Sequence, residues 1–390
     1  MAGNDSDLKA LVDQLNRGLS PSPDLERMSG SGSRPLPELA SGLDPVLAQA
    51  AERGASDLLL VVGAPVAMRI NGRLGLTAGA ALEDEDVHGM LMPLLASRQQ
   101  QELLRTKSLD FCFERAGLGR FRANLHFQRG TLAATIRLLP ARIPTLDSLG
   151  LPPTLRRWVE VRQGLVLVTG ATGSGKSSTL AALIDIVNAE RRDHIVTIED
   201  PVEYMHGNRK AIIEQIEVGP DAPDFASSLR SIVRQNPDVI LVGEMRDPET
   251  ISTALTAAET GHLVLSTLHT NDASQAVSRI LDSFPQGNQP QIRQQLSLAL
   301  VAVVAQQLVP TRDGRGRCPA VEILVATHAV RNMIRKGEDH QLYSAISTGR
   351  ADGMICMEQA LAELVRSDTI TRETAMAHCF RPDELPRYLK

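Results

Sequence analysis

The stretch Gly164-Leu-Val-Leu-Val-Thr-Gly-Ala-Thr-Gly-Ser-Gly-Lys-Ser-Ser178 decides how the rest of this chain is read. An apolar run leads into Gly170-x-x-x-x-Gly175-Lys176-Ser177, and the helical pattern Thr179 to Ala189 follows. Gly170, Gly173 and Gly175 admit backbone angles that a Cβ forbids. The loop can therefore turn its N–H groups inward as an anion nest at a helix N-terminus. The pattern predicts a triphosphate loop made of Gly170, Ala171, Thr172, Gly173, Ser174, Gly175, Lys176, Ser177 and Ser178. Lys176 is expected to reach the β/γ-phosphates and the Ser177 hydroxyl to hold Mg²⁺, which implies ATP or a close relative as ligand.

The 390 residues leave room for two or three domains, and 43% hydrophobic content is ordinary for a globular chain. A formal net charge of −5 gives no bulk attraction to nucleic acid, so no nucleic-acid partner is expected. Cys112, Cys318, Cys356 and Cys379 lie far apart with no C-x-x-C pair, which argues for a reducing compartment and against structural zinc. The most apolar stretch, Leu296 to Val309, is interrupted by Gln306 and Gln307 and is shorter than a membrane span. With no basic start followed by an apolar core, the expectation is a cytoplasmic protein.

Composition divides the chain into four parts. Residues 1–40 read as a flexible arm, with a short helical possibility at Leu8 to Leu19 and a Ser-, Pro- and Gly-rich segment, Ser20 to Pro37. Residues 41–142 read as an α+β domain. Its expected elements are a helix at Asp44 to Arg53, a strand at Asp57 to Val62, a hairpin across Asn71-Gly72, a helix at Glu83 to Leu95, and strands at Leu109 to Phe113, Arg120 to Gln128 and Leu132 to Leu138. A linker, Pro140 to Pro153, leads into a nucleotide domain over 143–326. Its strands His194 to Ile198, Val239 to Val242 and Leu263 to Thr267 are nearly continuously apolar, as in parallel strands buried on both faces of a doubly wound α/β sheet. Residues 327–390 carry i, i+3, i+4 apolar spacing, as in Val330, Met333 and Ile334, and read as a helical C-terminal subdomain.

Ligands of such sheets bind beyond the carboxyl ends of the strands. Asp238-Val-Ile-Leu-Val-Gly-Glu-Met-Arg246 ends one strand at Gly243-Glu244, making Glu244 the candidate base that orients the water attacking the γ-phosphate. The acidic residue that often precedes this position and holds magnesium is replaced by Gly243. His194-Ile-Val-Thr-Ile-Glu-Asp-Pro-Val-Glu203 supplies substitutes: Glu199 for Mg²⁺-bound water and Glu203 in support, the alternative being a solvated acidic turn. His269, with Thr267 nearby, is the candidate hydrogen-bond donor to the γ-phosphate. His262, at the start of the same strand, is open between a functional and a packing role.

Four blocks now stand together: Gly170 to Ser177, Ile198-Glu-Asp-Pro-Val-Glu-Tyr204, Val242-Gly-Glu-Met-Arg-Asp247, and Ala258 to His262 with Thr267-Leu-His-Thr270. They resemble the Walker A, Asp box, Walker B and His box of the secretion ATPases that drive type II secretion and type IV pili, over residues from about 43 to 380. The resemblance implies a PAS-like N-terminal domain followed by a RecA-like domain, assembled as a homohexamer with nucleotide at the domain boundary. It also implies that Arg122 and Arg137 approach the phosphates, although arginines on strands also pair with surface carboxylates. The implied partners are an inner-membrane pilus platform protein and a paralogous retraction ATPase, with peripheral association at the inner membrane. Two features resemble the retraction subgroup: Gln306 to Arg315 lacks the paired C-x-x-C motifs of the extension and type II secretion ATPases, and Ala329-Val-Arg-Asn-Met-Ile-Arg335 looks like the helix needed for retraction. Its cationic side, Arg331 and Arg335, is expected to transmit motion or touch the next subunit, the alternative being an ordinary amphipathic helix. An accessory retraction paralogue shares the core blocks, and Ala171 stands where the family often has proline. A nucleic-acid translocase and a regulatory paralogue with degraded catalysis are the readings of a different class.

Overall fold

The computed structural model describes residues 42–70 and 72–389. The expected arm at 1–40 and Asn71 of the expected hairpin lie outside the described residues. The described residues divide into two compact units, one formed by residues 42–109 with 124–136, the other by 110–123 with 137–389.

The N-terminal part is α+β. Helix α1 (Leu43–Glu52) precedes β1 (Asp57–Val61), β2 (Ala67–Ile70) and β3 (Arg73–Leu76). Helices α2 (Asp84–Leu91) and α3 (Ser97–Thr106) then lead to β4 (Ser108–Arg115), β5 (Gly119–Gln128) and β6 (Thr131–Leu138). The sheet order is β3-β2-β1-β6-β5-β4, and β2 and β3 pair antiparallel with Ile70 opposite Arg73. Along β5 the period of two buries Phe121, Ala123 and Leu125 on one face. The helix expected through Leu95 stops at Leu91 and gives way to a 3₁₀ turn, Met92–Leu94, because Pro93 removes a backbone donor and its ring crowds the preceding turn. Helix α3 is not visible in the apolar pattern. Only Leu103 of Ser97-Arg-Gln-Gln-Gln-Glu-Leu-Leu-Arg-Thr106 is buried, and the helix start is fixed instead by the Gln99 side chain, which accepts from the Ala96 N–H at 3.0 Å.

The second sheet positions the site. Its strands are β7 (Gly164–Thr169), β8 (His194–Glu199), β9 (Ile212–Glu217), β10 (Val239–Val242), β11 (Leu263–Leu268), β12 (Leu300–Pro310) and β13 (Arg317–Val325). The order is β13-β12-β7-β11-β10-β8-β9, parallel throughout except for the antiparallel β12–β13 pair. Both faces are buried, and alternation sorts the side chains. Leu165, Leu167, Ile240 and Val242 join one apolar cluster, while Val166, Val168, Val239 and Leu241 join the other. Helix α4 (Lys176–Glu190) covers the second face. The first is covered by α5 (Phe225–Ile232), α6 (Pro248–Glu259), α7 (Ala273–Asp282) and α8 (Gln289–Ala299). The apolar run Leu296 to Val309 is therefore the end of α8 and most of β12. No helix among the described residues is long and apolar enough to cross a membrane.

The C-terminal part is helical, as expected: α9 (His328–Lys336), α10 (Leu342–Thr348), α11 (Met357–Arg366), α12 (Arg372–His378) and α13 (Leu385–Tyr388). Thr327 caps α9 through Val330 N–H, and Val330 and Ile334 are buried. Of the expected cationic side of this helix, Arg331 makes bonds within the chain. Arg331 is not a free surface charge, because its guanidinium donates to the carbonyls of Ala326 (2.9 Å), Ser297 (2.8 Å) and Leu298 (2.5 Å). Ser297 and Leu298 end α8, whose last carbonyls have no partner within the helix. Arg335 remains exposed.

Glu322 joins this subdomain to the sheet. It lies on β13 at 1% exposure and accepts from Ala273 N–H at 2.8 Å and Met357 N–H at 3.3 Å, the first residues of α7 and α11. Burial, with Asp272 and Glu358 adding to it, pushes its carboxyl up to about 7, against the opposing pull of the two N–H donors.

Two measurements follow. Arg331→Ala leaves carbonyls of α8 uncapped and should cost about 1–3 kcal/mol, whereas Arg335→Ala should stay within about 0.5 kcal/mol; equal melting temperatures for the two variants would remove the capping role. For Glu322 the raised pKa means that the folded state holds its proton when the unfolded chain has already lost it. Stability is fullest below about 4.5 and is lost as pH rises through about 7. Relative to Glu322→Gln, the wild type should lose on the order of 3 kcal/mol across that window, and a flat difference between the two melting curves would contradict the assignment.

Candidate nucleotide site

Strands β7, β8, β10 and β11 run parallel, so the residues that follow them emerge at one edge of the sheet. That edge carries Gly170, Glu199, Glu244 and His269. A cleft of about 670 Å³ opens there, lined by Thr172, Gly173, Gly175, Lys176, Ser177 and Ser178 of the loop and by Glu199, Asp200, Glu203, Glu244, Thr267 and His269. Arg137 also lines it, and Arg122 is not among the lining residues. Gly170, Ala171 and Ser174 build the loop without lining the cleft. His262 lies at the opposite end of β11, its Nδ1 at 2.9 Å from the Ala257 carbonyl, in a packing role.

The loop's first carbonyls are held by its own lysine. Lys176 Nζ donates to the carbonyls of Gly170 (2.8 Å) and Ala171 (3.0 Å), and its burial lowers the ammonium pKa because the charge is taken out of water. A phosphate offers that ammonium a full negative charge in place of two carbonyl dipoles. Gly170 sits at φ 147, where a Cβ would lie 2.3 Å from the Gln306 carbonyl oxygen, so glycine is required there. The Ser174 hydroxyl is buried without a hydrogen-bond partner among the described residues.

The acidic side is equally built. Glu199 Oε1 accepts from Thr197 Oγ1 at 2.7 Å and Gln215 Nε2 at 3.2 Å, and burial raises its pKa. Glu244 lies between Arg246 (2.6 Å) and His269 Nε2 (3.3 Å), and Thr267 Oγ1 donates to the Gly243 carbonyl at 2.6 Å, fixing the turn that carries Glu244. Among the described residues no cluster of three His, Cys, Asp or Glu forms a protein-only metal centre. A magnesium ion bound with phosphates needs only one or two protein oxygens and keeps several waters. The Ser177 hydroxyl and the desolvated Glu199 carboxyl, both lining the cleft, are hard oxygen donors that fit this demand.

Several cleft residues escape a sequence reading. Tyr204 OH meets Ser178 Oγ at 2.7 Å, and Leu308 and Arg317 reach the cleft from β12 and β13. Only the tyrosine lies in one of the four blocks assigned to the nucleotide. The other two come from a hairpin whose approach to the loop is a tertiary event with no local signal.

The family described as type II/IV secretion system protein matches residues 128–377. The chain is 43% identical to the type IV pilus retraction ATPase PilT of Pseudomonas aeruginosa over 330 residues, covering 85% of this chain and 96% of that one. It is 40% identical to the type IV pilus ATPase PilU of the same organism over 339 residues, 87% of this chain and 89% of that one. Among solved structures, the pilus retraction motor PilT with bound ADP matches with a TM-score of 0.82 at 43% identity, over 88% of this chain and 98% of that chain. With the loop, the acidic strand ends and the histidine gathered at one sheet edge, and with relatives spanned over nearly their whole length, this chain belongs to the type II/IV secretion system protein family.

Proposed function

We propose that this chain is the ATP-hydrolysing motor that retracts type IV pili, acting as a homohexamer at the cytoplasmic side of the inner membrane on a platform protein of the pilus machine. The chain is an ATPase of its family, and the observation that carries the reading is the convergence of Lys176, Ser177, Glu199, Glu244 and His269 on one cleft. The near full-length likeness to PilT supports retraction as the output.

In the proposed reaction Lys176 exchanges its carbonyl partners for the β/γ-phosphates and Glu244 accepts a hydrogen bond from the attacking water, holding it in line. His269, released from Glu244, donates to the γ-phosphate and so distinguishes ATP from ADP. Mg²⁺ held by the Ser177 hydroxyl and, through water, by Glu199 supplies charge neutralisation on the phosphate oxygens. Arg137 adds a cation at the cleft, and Arg122, assigned from the resemblance, acts with it. Loss of the γ-phosphate removes the partner of His269 and the arginines, which biases a two-state arrangement of the subunit. Coupled around a ring, that bias becomes mechanical output.

Lys176→Ala should abolish nucleotide binding or turnover. Glu244→Gln should retain ATP binding and lower turnover by roughly 10²- to 10⁴-fold. Equal turnover in wild type and Glu244→Gln would remove that carboxylate from its role. Arg137→Ala should lower turnover by about tenfold or more, toward the 10³ to 10⁵ of dedicated phosphoryl-transfer arginines, and near-normal hydrolysis in assembled rings would make it a surface pairing residue. In cells, deletion of the gene should leave excess immobile pili. Bald cells would indicate extension instead, and DNA-stimulated hydrolysis with steep salt dependence would indicate a translocase.

A further inference from the structure

We infer that Gln306 is the positioning residue of the phosphate loop: it holds the Ser174–Gly175 peptide so that the Gly175 N–H faces the bound phosphate. The inference rests on the nucleotide reading of the cleft and assigns a residue outside the four sequence blocks.

Strand β12 pairs with β7 as far as Ala305 opposite Thr169, so Gln306 arrives beside Gly170, where the phosphate loop begins. Its side chain is buried at 4% exposure, and both ends of the amide are used. Nε2 donates to the Ser174 carbonyl at 2.8 Å, and Oε1 accepts from Thr179 Oγ1 at 2.7 Å. The orientation of the amide is fixed by its partners, since the Ser174 carbonyl only accepts. One side chain thus ties the middle of the loop to the first turn of α4.

A trans peptide is planar, with C=O and N–H pointing in opposite directions. Drawing the Ser174 carbonyl back onto Gln306 therefore turns the Gly175 N–H away from β12 and toward the concave side of the loop. Gly175 sits at φ 91, in the left-handed region that a nest of inward N–H groups uses, and a Cβ there would lie 2.8 Å from Gln306 Nε2. Gln306 touches the loop from behind, on the side away from the phosphates, so it acts through Gly175 and not on the nucleotide.

Gln306→Met keeps the volume and removes both hydrogen bonds. ADP affinity of the full chain should fall by tenfold or more, while the unliganded variant still folds. Thr179→Val removes the bond at the other end of the amide and the hydroxyl's longer contact to the Gly175 carbonyl (3.2 Å), which the Thr179 N–H still holds at 3.0 Å; with the Ser174 carbonyl left on Gln306, its ADP affinity should stay within about threefold of wild type. The proposal is overturned if Gln306→Met binds ADP within threefold of wild type, or if Thr179→Val weakens binding as much, since either result leaves Gln306 a packing residue. A second measurement needs no variant. In wild type the Gly175 amide should exchange with solvent freely without ligand and become protected by ADP, and continued free exchange in the ADP complex would equally overturn it. Failure of wild type to bind ADP at all would sink the reading of the cleft itself, an outcome separate from both.

Discussion

The close approach of β12 to β7 governs the geometry of the phosphate loop. β7 starts at Gly164 and is followed by Gly170, both at positive φ, and neither has room for a side chain: a Cβ on Gly164 would meet Val301 Cγ2 at 2.4 Å, and one on Gly170 the Gln306 carbonyl at 2.3 Å. With those two positions bare, β12 pairs parallel with β7 from Leu165 to Thr169, with one register shift between Leu300 and Ala302, and backs the phosphate loop. Three carbonyls of the loop are taken up by Lys176 and Gln306, which leaves N–H groups for an anion. A rigid scaffold thus presents a loop whose donors are arranged before any ligand arrives, the condition under which electrostatic stabilisation requires little reorganisation.

The charges in the cleft are poised for the same purpose. Burial lowers the pKa of Lys176 and raises that of Glu199, so each carries an unmet desolvation penalty in the charged form. A phosphate beside the first and a cation beside the second relieve both. Glu244 differs, because it is anchored between Arg246 and His269 and stays aligned without ligand. The His269 contact links the Glu244 carboxylate to the segment that runs through Asp272 into α7. From the first residue of α7, Ala273, the buried Glu322 carries the connection to the first turn of α11. The C-terminal helices are therefore fastened to the element that follows the histidine by hydrogen bonds of one carboxyl.

Much of this is legible in the sequence because it is local. The phosphate loop needs its glycines in fixed places, strands buried on both faces read as unbroken apolar runs, and a parallel sheet sends the residues after its strands to one edge; Glu199, Glu244 and His269 come together for that reason. What is not legible acts across distance. Gln306 and Ser174 are 132 positions apart, and Leu296 to Val309 gives no sign that it crosses from helix to central strand. Helix α3, rich in glutamine, lacks an apolar stripe. Arg331 illustrates a further limit. Helical periodicity tells which side of α9 faces the core, but a long cationic side chain at the border folds over apolar surface to reach distant carbonyls, and only the packed structure shows that it has done so.

Exchange of the internal lysine contact for a phosphate would be visible in a structure of this chain with a non-hydrolysable ATP analogue. That structure should hold the β-phosphate within the loop, with Lys176 Nζ withdrawn from the carbonyls of Gly170 and Ala171 and bonded to phosphate oxygen, and Glu244 facing the γ-phosphate across one water. An analogue bound elsewhere, with Lys176 still on the two carbonyls, would contradict that exchange.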